Sequence, residues 1–280
     1  MLRTGRRVVE LGPTDLARVV ALCRRAPAVN AFVEHRALTT ELDRRRLGGV
    51  VWGYVDGDEL VSACHVGANL VTVEATPDAV AAFAEHAARS SRTCSSLVGP
   101  ARAVLSMWDR LEPVWGPARE VRPEQPFMVI DAPSPVPPDP LVRRLTIDDF
   151  DTVYPASVAM FTEEVGVSPE ADGAGYYRAR VAQLLSRGWS FARIENGRVL
   201  FKAEVGLATP QVCQVQGVYV DPQARGQGLA APGMAAVIEM ALADIAPVVS
   251  LYVNAGNVAA KAAYRRAGFV QTATFATVLF

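Results

Sequence analysis

A short run in the last quarter of the chain most constrains how the chain can fold. Residues 218–230 read VYVDPQARGQGLA, so a β-branched stretch meets the start of a helix through a glycine-rich turn. The glycines at 226 and 228 let the backbone approach a bulky group without interference from a Cβ atom. The first amides of the helix then point at the ligand, where the helix dipole favours negative charge. The run therefore predicts an anion site, with Arg225 adding positive charge beside it.

The residues around these glycines exclude two common phosphate sites. A nucleoside-triphosphate loop needs a lysine followed by serine or threonine, and no such pair follows the glycines. A dinucleotide fingerprint needs the spacing Gly-x-Gly-x-x-Gly, but the next glycine after Gly228 is Gly233. We therefore expect neither of these cofactor classes.

A second signature lies downstream of the glycine-rich turn. Residues 250–269 contain a strand, then Asn257 before a helix, Tyr264 on that helix and a closing Gly268-Phe269. The two signatures together resemble the GNAT family of N-acetyltransferases, whose phosphate loop reads Gln/Arg-x-x-Gly-x-Gly/Ala. Residues 223–228 match that loop, and residues 225–230 match it again. Pro232-Gly233 departs slightly from the family pattern, and a proline is tolerated there if it falls in the first helical turn.

The resemblance implies acetyl-CoA as the cofactor. The strand before the loop is expected to splay from its neighbour and to pair its main chain with the pantetheine arm, while the loop amides hold the pyrophosphate. Asn257 would cap its helix and still face the cofactor. The residues that we expect to bind acetyl-CoA are Val218, Tyr219, Val220, Arg225, Gly226, Gln227, Gly228, Leu229, Ala230, Asn257 and Tyr264.

The resemblance also assigns a general acid, but it leaves the general base open. Tyr264 occupies the family's usual position for the phenol that protonates the departing thiolate, and the pKa order of phenol and thiol suits that role. The strand leading into the loop carries no carboxylate where many family members have a glutamate. Candidate bases elsewhere are Glu204, Glu163 and Glu164, each of which could equally be a surface carboxylate. Gln214 and Gln216 could instead position a water molecule.

Length and composition indicate a two-domain enzyme. The 280 residues exceed one domain of this type, and no apolar run reaches the roughly 18 residues of a membrane span. No signal-peptide pattern opens the chain, so we expect a cytoplasmic protein that does not bind membranes. The net charge of -1 argues against a nucleic-acid partner, and four scattered cysteines indicate no metal site. Only two residues, at 202 and 261, are lysines.

The first half of the chain repeats the order of elements in the second half. The place for its phosphate loop, at 74–78, reads EATPD and carries no glycine pair. We therefore expect a degenerate GNAT-like domain at 1–132 that lacks the CoA loop, a proline-rich linker at 133–140 and an acetyl-CoA-binding catalytic domain at 141–280. Each domain should be α/β (α+β), with a mixed, mostly antiparallel central sheet flanked by helices. This arrangement resembles tandem acetyltransferases known mainly from actinobacteria.

The sequence therefore predicts an N-acetyltransferase in which a bound primary amine attacks acetyl-CoA directly within a ternary complex. The acceptor would be a small-molecule amine or a protein or peptide amine, and the chain a monomer or homodimer. Because the strand lacks a carboxylate, an alternative is a non-catalytic acyl-CoA sensor or regulatory module. A third reading is an interaction module whose first domain binds a protein partner.

Overall fold

The structure is a computed structural model that describes residues 5–171 and 173–280. None of the helices in this described part combines the length and apolar character that a membrane crossing requires. The elements of the first half are β1 (Arg7–Leu11), α1 (Leu16–Cys23), α2 (Pro27–Thr40), α3 (Arg44–Leu47), β2 (Val50–Asp56), β3 (Glu59–Val66), β4 (Asn69–Val73), α4 (Pro77–Ala88), β5 (Ser96–Pro100), α5 (Ala101–Trp115) and β6 (Glu120–Ile130). Those of the second half are β7 (Val142–Arg144), α6 (Phe150–Val165), α7 (Gly175–Ser186), β8 (Ser190–Glu195), β9 (Arg198–Ala208), β10 (Cys213–Val220), α8 (Ala230–Asp244), β11 (Val249–Tyr252), α9 (Val258–Arg266) and β12 (Val270–Leu279).

The chain divides into two compact units by its internal contacts. The first unit contains Met1–Phe127, Tyr252–Gly256 and Gln271–Phe280, and the second contains Met128–Leu251 and Asn257–Val270.

The first unit is built on a mixed sheet. Strands β1 to β4 pair antiparallel in chain order, β4 pairs parallel with β5, and β5 pairs antiparallel with β12. One apolar cluster joins the sheet to α1 and α2, and a second joins it to α4 and α5. Burying apolar side chains on both faces is what holds such a layered sheet together.

The second unit repeats this pairing pattern. Strands β7 to β10 pair antiparallel in chain order, and β10 pairs parallel with β11. A cluster of buried side chains joins the sheet to α6 and α7, with Val153 and Leu185 among its members. The shared pattern confirms the prediction of two similar α/β domains with mixed, mostly antiparallel sheets and flanking helices.

The last strand differs from the predicted division of the chain. We expected residues 141–280 to form one domain, but Gln271–Phe280 packs with the first unit. The physical cause is a ladder in which Phe275 pairs with Pro100 and Leu279 with Ser96. Phe275, Ala276 and Val278 of this strand are buried.

The proline-rich segment at 133–140 packs within the second unit instead of running free. The Asp139 amide donates to the Pro232 carbonyl at 3.0 Å, and the Asp139 carboxylate accepts from Arg193 Nη1 at 2.9 Å. Pro135 lies where a side chain at Gly268 would have to go, with its Cδ 2.8 Å from an ideal Cβ. These contacts make the segment part of the second unit's structure.

Candidate functional site

Two strands of the second unit part at the end that faces the glycine-rich turn. Strands β10 and β11 pair at Cys213 with Val249 and at Gln214 with Ser250. Beyond Gln214, β10 runs on to Val220 and stays paired with β9 on its other edge. The described ladder with β11 has ended by then, so the main chain of Val218 to Val220 presents one edge without that neighbour. The early end of this ladder agrees with the splay that the resemblance implies.

The turn after β10 is held in shape by side chains around Asp221. The Asp221 carboxylate accepts from the Gln223 amide at 2.8 Å and so caps a short 3-10 turn over Pro222–Ala224. Arg198 binds the same carboxylate through two nitrogens, with Nε at 2.7 Å from Oδ2. This hydrogen-bonded guanidinium lowers the pKa of Asp221. A charged carboxylate that accepts two hydrogen bonds from one guanidinium is held strongly, so Asp221 fixes the start of the loop.

The two glycines of the loop adopt a backbone conformation that favours glycine. Gly226 and Gly228 have φ angles of 77° and 79°, in the region where a Cβ atom is unfavourable. An ideal Cβ on either glycine meets nothing within 4 Å, so the space beside the loop is open to a ligand. Both glycines are exposed.

Helix α8 begins directly after the loop, at Ala230. Its Gly233 amide donates to the Leu229 carbonyl at 3.0 Å, and Pro232 lies in the first turn, where a proline costs no intrahelical hydrogen bond. Gly233 packs against the ring of Phe201 on β9, because an ideal Cβ would lie 2.9 Å from three ring atoms. The departure from the family pattern at 232–233 is thus accommodated by position and packing, and the first amides remain directed at the loop.

Helix α9 begins at its predicted cap. The Asn257 side-chain oxygen accepts from the Ala260 amide at 3.0 Å, as expected for an N-cap. Tyr264 follows two turns later and is buried, with its ring 6.1 Å from that of Phe269. Burial, together with the charge of Glu164, raises the pKa of Tyr264 above its usual value. The phenol therefore stays protonated at neutral pH, which is the state that a proton donor needs.

The three carboxylates that we considered as bases lie in different surroundings. Glu163 forms an ion pair with Arg225 at 2.6 Å, so part of the positive charge beside the loop is already compensated. Glu164 acts electrostatically on both Tyr264 and Tyr177. Glu204 on β9 is buried and accepts from Lys202 Nζ at 3.3 Å and from Gln216 Nε2 at 3.3 Å. Among the three, Glu204 is the one held directly beside β10.

Two residues of this region were not among the predicted site residues. Lys202 is buried beside Glu204, and Tyr177 on α7 donates to the Ser157 carbonyl at 2.9 Å. Burial raises the pKa of Tyr177, and the charges of Glu204, Tyr154 and Glu164 add to the effect. The one sequence signal for Lys202 is its rarity, since lysine occurs at only two positions of the chain.

The corresponding turn of the first unit is built differently. Thr76 caps α4 by accepting from the Ala79 amide at 3.2 Å, and Pro77 at the first helical position has no N–H. Asp78 adds negative charge to the first turn and pairs with Arg6 at 2.6 Å. In the second unit the amides at the start of the helix are available to an anion. In the first unit the turn at 76–79 instead carries a carboxylate, and the Thr76 side chain already accepts from one of its amides.

Comparisons with known proteins agree with the geometry of the second unit. Residues 188–269 match the model of the Acetyltransferase (GNAT) family, and residues 49–153 match a domain of unknown function, DUF4081. No curated protein matches the chain.

Several solved structures share the fold over nearly the whole chain. A GCN5-related N-acetyltransferase from Sphaerobacter thermophilus is 18% identical, with a TM-score of 0.63 and coverage of 97% of this chain and 94% of that chain. A tandem GNAT protein from the clavulanic acid biosynthesis pathway is 14% identical, with a TM-score of 0.57 and 98% of both chains covered. A GNAT-family acetyltransferase from Colwellia psychrerythraea is 15% identical, with a TM-score of 0.57 and 98% and 99% covered. Residues 188–269 therefore match the GNAT acetyltransferase family, and the solved structures show that the fold is shared over nearly the whole chain.

Proposed function

We propose that the protein is an acetyl-CoA-dependent N-acetyltransferase that acts on a primary amine within a ternary complex. The observation that carries the proposal is the open, positive-φ glycine loop, which joins the free edge of β10 to the first amides of α8. Gly226 to Ala230 would hold the pyrophosphate, and the main chain of Val218 to Val220 would pair with the pantetheine arm. Acetyl-CoA supplies the activated thioester when it is bound.

Two groups of the second unit would handle the protons of the reaction. Tyr264, kept protonated by burial and by Glu164, would donate its proton to the departing thiolate sulfur. Glu204 would accept the proton that the amine nitrogen loses as it bonds to the acetyl carbon, directly or through a water molecule that Gln216 positions. The C–S bond breaks, the C–N bond forms, and one proton is released and one taken up, so the transfer is balanced.

Cofactor binding is tested by calorimetric titration of acetyl-CoA into the wild type and Gly226→Glu. We expect the variant to lose binding, because a carboxylate would occupy the open space beside the loop amides. Gly48→Glu is the matched control, because Gly48 also has a positive φ, of 64°, and an ideal Cβ there meets nothing within 4 Å. The control therefore shares the backbone strain and the added charge but lies in the first unit. Failure of the wild type to bind acetyl-CoA would overturn the proposal.

Turnover is tested by thiol release across a panel of primary amines. We expect Tyr264→Phe still to bind acetyl-CoA but to lose about 10²- to 10⁴-fold in turnover, the range for loss of a general acid. Tyr176→Phe is the control, because that side chain is 88% exposed and lies outside the proposed machinery.

One observation favours the second candidate, a non-catalytic acyl-CoA sensor. Both Glu163 and Glu204 are already engaged, by Arg225 and by Lys202 respectively. Tight binding of acetyl-CoA without thiol release on any amine would support the sensor and contradict the transferase.

A further inference from the structure

Lys202 is a charged side chain placed inside the second unit. It is 2% exposed, and its ammonium lies 3.0 Å from the Gly217 carbonyl oxygen and 3.3 Å from Glu204 Oε2. Burying an ammonium is costly unless it is both paired and hydrogen-bonded. The two contacts meet that requirement, and both lie at the irregular part of β10.

The irregularity is a bulge centred on Gly217. The register between β10 and β9 shifts between Gln216 and Tyr219, and Gly217 has a φ of 60°. An ideal Cβ on Gly217 would lie 2.8 Å from Cδ of Glu204, so only glycine leaves room for this carboxylate over the bulge. The other oxygen of Glu204 accepts from Gln216 Nε2 at 3.3 Å. The carboxylate is therefore fixed from both strands.

The hydrogen bond to Gly217 also sets the direction of the next amide. In a trans peptide the C=O and the following N–H point in opposite directions. The Gly217 carbonyl points to the Lys202 ammonium, so the Val218 N–H points away from that ammonium. Val218 lies beyond Gln214 and Ser250, where the described ladder between β10 and β11 ends, so that ladder does not pair with the Val218 amide.

We propose that Lys202 is a positioning residue for acetyl transfer, which holds the bulge so that the Val218 amide donates to the thioester oxygen of bound acetyl-CoA and Glu204 stays beside it. This inference rests on the proposed function. It assigns Lys202 no contact with the reacting atoms, since its ammonium acts through the Gly217 peptide and through Glu204.

The experiment measures the hydrogen bond itself and does not need an acceptor amine. Acetyl-CoA labelled with ¹³C at the acetyl carbonyl is bound to the wild type and to Lys202→Met, and the carbonyl resonance is compared with that of free acetyl-CoA. We expect a downfield shift in the wild type and loss of most of that shift in the variant. CoA, which has no acetyl group, should bind both proteins with equal affinity in calorimetry.

A second readout is taken without any ligand. The Val218 amide resonance and its hydrogen-exchange rate are followed in ¹⁵N-labelled wild type and Lys202→Met. We expect both the Val218 amide resonance and its hydrogen-exchange rate to change in the variant, because the Gly217 carbonyl loses its hydrogen bond from Lys202 and no longer fixes this peptide. Arg143→Met is the control: it breaks an ion pair with Asp149 at 2.6 Å in the same unit and should change neither readout.

The outcomes separate this inference from the function on which it rests. A carbonyl shift in Lys202→Met equal to that of the wild type would overturn the role of Lys202, although acetyl-CoA binds. Absence of acetyl-CoA binding to the wild type would overturn the proposed function, while the ligand-free readout would still decide whether Lys202 fixes the Val218 amide. If Lys202→Met does not fold, the double variant Lys202→Met with Glu204→Gln should fold, because it also removes the carboxylate charge that has lost its partner. We expect this double variant to lack the downfield shift of the acetyl carbonyl resonance.

Discussion

His65 is a buried imidazole in the first unit. It is 3% exposed, its Nδ1 lies 3.1 Å from the Asn69 carbonyl oxygen, and the ring of Phe32 is 5.3 Å away. Burial lowers the pKa of His65 to about 4, with a smaller contribution from the charge of Arg36. The imidazole is therefore neutral in the folded protein at any pH well above 4.

We predict that this histidine makes the protein acid-sensitive. Between pH 6.5 and pH 4 the unfolded chain binds a proton at His65 and the folded chain does not, so stability falls as the pH falls through this window. From pH 7 to pH 5 the free energy of unfolding should decrease by about 2 kcal/mol for this group. Urea denaturation at the two pH values measures the difference.

The control for this prediction is the replacement of another histidine. His65→Gln should remove most of the acid sensitivity, whereas His86→Gln, in a half-buried position on α4, should retain it. Equal pH dependence in wild type and His65→Gln would show that other groups dominate acid destabilisation.

At the residue scale, the sequence predicts contacts between residues close in the chain, but it does not predict which charged side chains are buried or paired. The Asn257 cap could be predicted because a cap depends on residues within one turn of it. The burial of Lys202 could not, because the Gly217 carbonyl lies 15 positions away and is brought to it by strand pairing. The pairing of Arg225 with Glu163 joins residues 62 positions apart and was missed for the same reason.

At the scale of elements, we predict the effect of a substitution where α8 packs against β9. Gly233 lies in the helix interior, where alanine would gain about 1 kcal/mol in helix propensity. The Cβ would, however, lie 2.9 Å from the ring of Phe201, which is fully buried. Overpacking of this kind costs about 1–3 kcal/mol, so we expect Gly233→Ala to lower the free energy of unfolding. Chemical denaturation measures the net effect.

A matched glycine and a double mutant check the cause. Gly175 begins α7 with nothing within 4 Å of an ideal Cβ, so Gly175→Ala should be neutral or stabilising. Phe201→Leu should make Gly233→Ala less costly, because the smaller side chain leaves room. Equal effects of Gly233→Ala in both backgrounds would refute the steric explanation.

Element order in the second half was predictable because motif and hydrophobic pattern agree along the chain. The strand, glycine loop, helix, strand and capped helix from 213 to 266 all follow the predicted order. The need for glycine at position 233 could not be predicted, because the Phe201 ring that excludes a side chain there lies on β9, far away in the sequence. The bulge at Gly217 also depends on Glu204 of the neighbouring strand, and no local pattern marks it.

At the scale of the whole molecule, the first unit depends on the last residues of the chain. Val278 is fully buried in the apolar cluster that joins the first unit's sheet to α4 and α5. Val278→Asp would place a carboxylate there at a cost of several kcal/mol. We expect limited proteolysis of the full-length variant to produce new cuts between residues 5 and 127, while residues 128–171 and 173–251 stay protected.

Gln271→Asp is the control, because it adds the same charge at an exposed position of the same strand. It should leave the proteolysis pattern unchanged. If Val278→Asp is cut first within the second unit, the assignment of β12 to the first unit would be contradicted. The sequence could not reveal that assignment, because nothing in the strand's own residues specifies which of two similar sheets it joins.

The position of β12 has a consequence for the order in which the protein can be made. Pro100 and Phe275, which pair in the first unit, are 175 positions apart. At the usual rate of translation, roughly ten to thirty seconds pass between release of the first unit's main segment and arrival of its final strand. During that interval the nascent chain is still on the ribosome, and β5 has no β12 strand to pair with. The portion synthesised first is therefore the portion that completes its fold last.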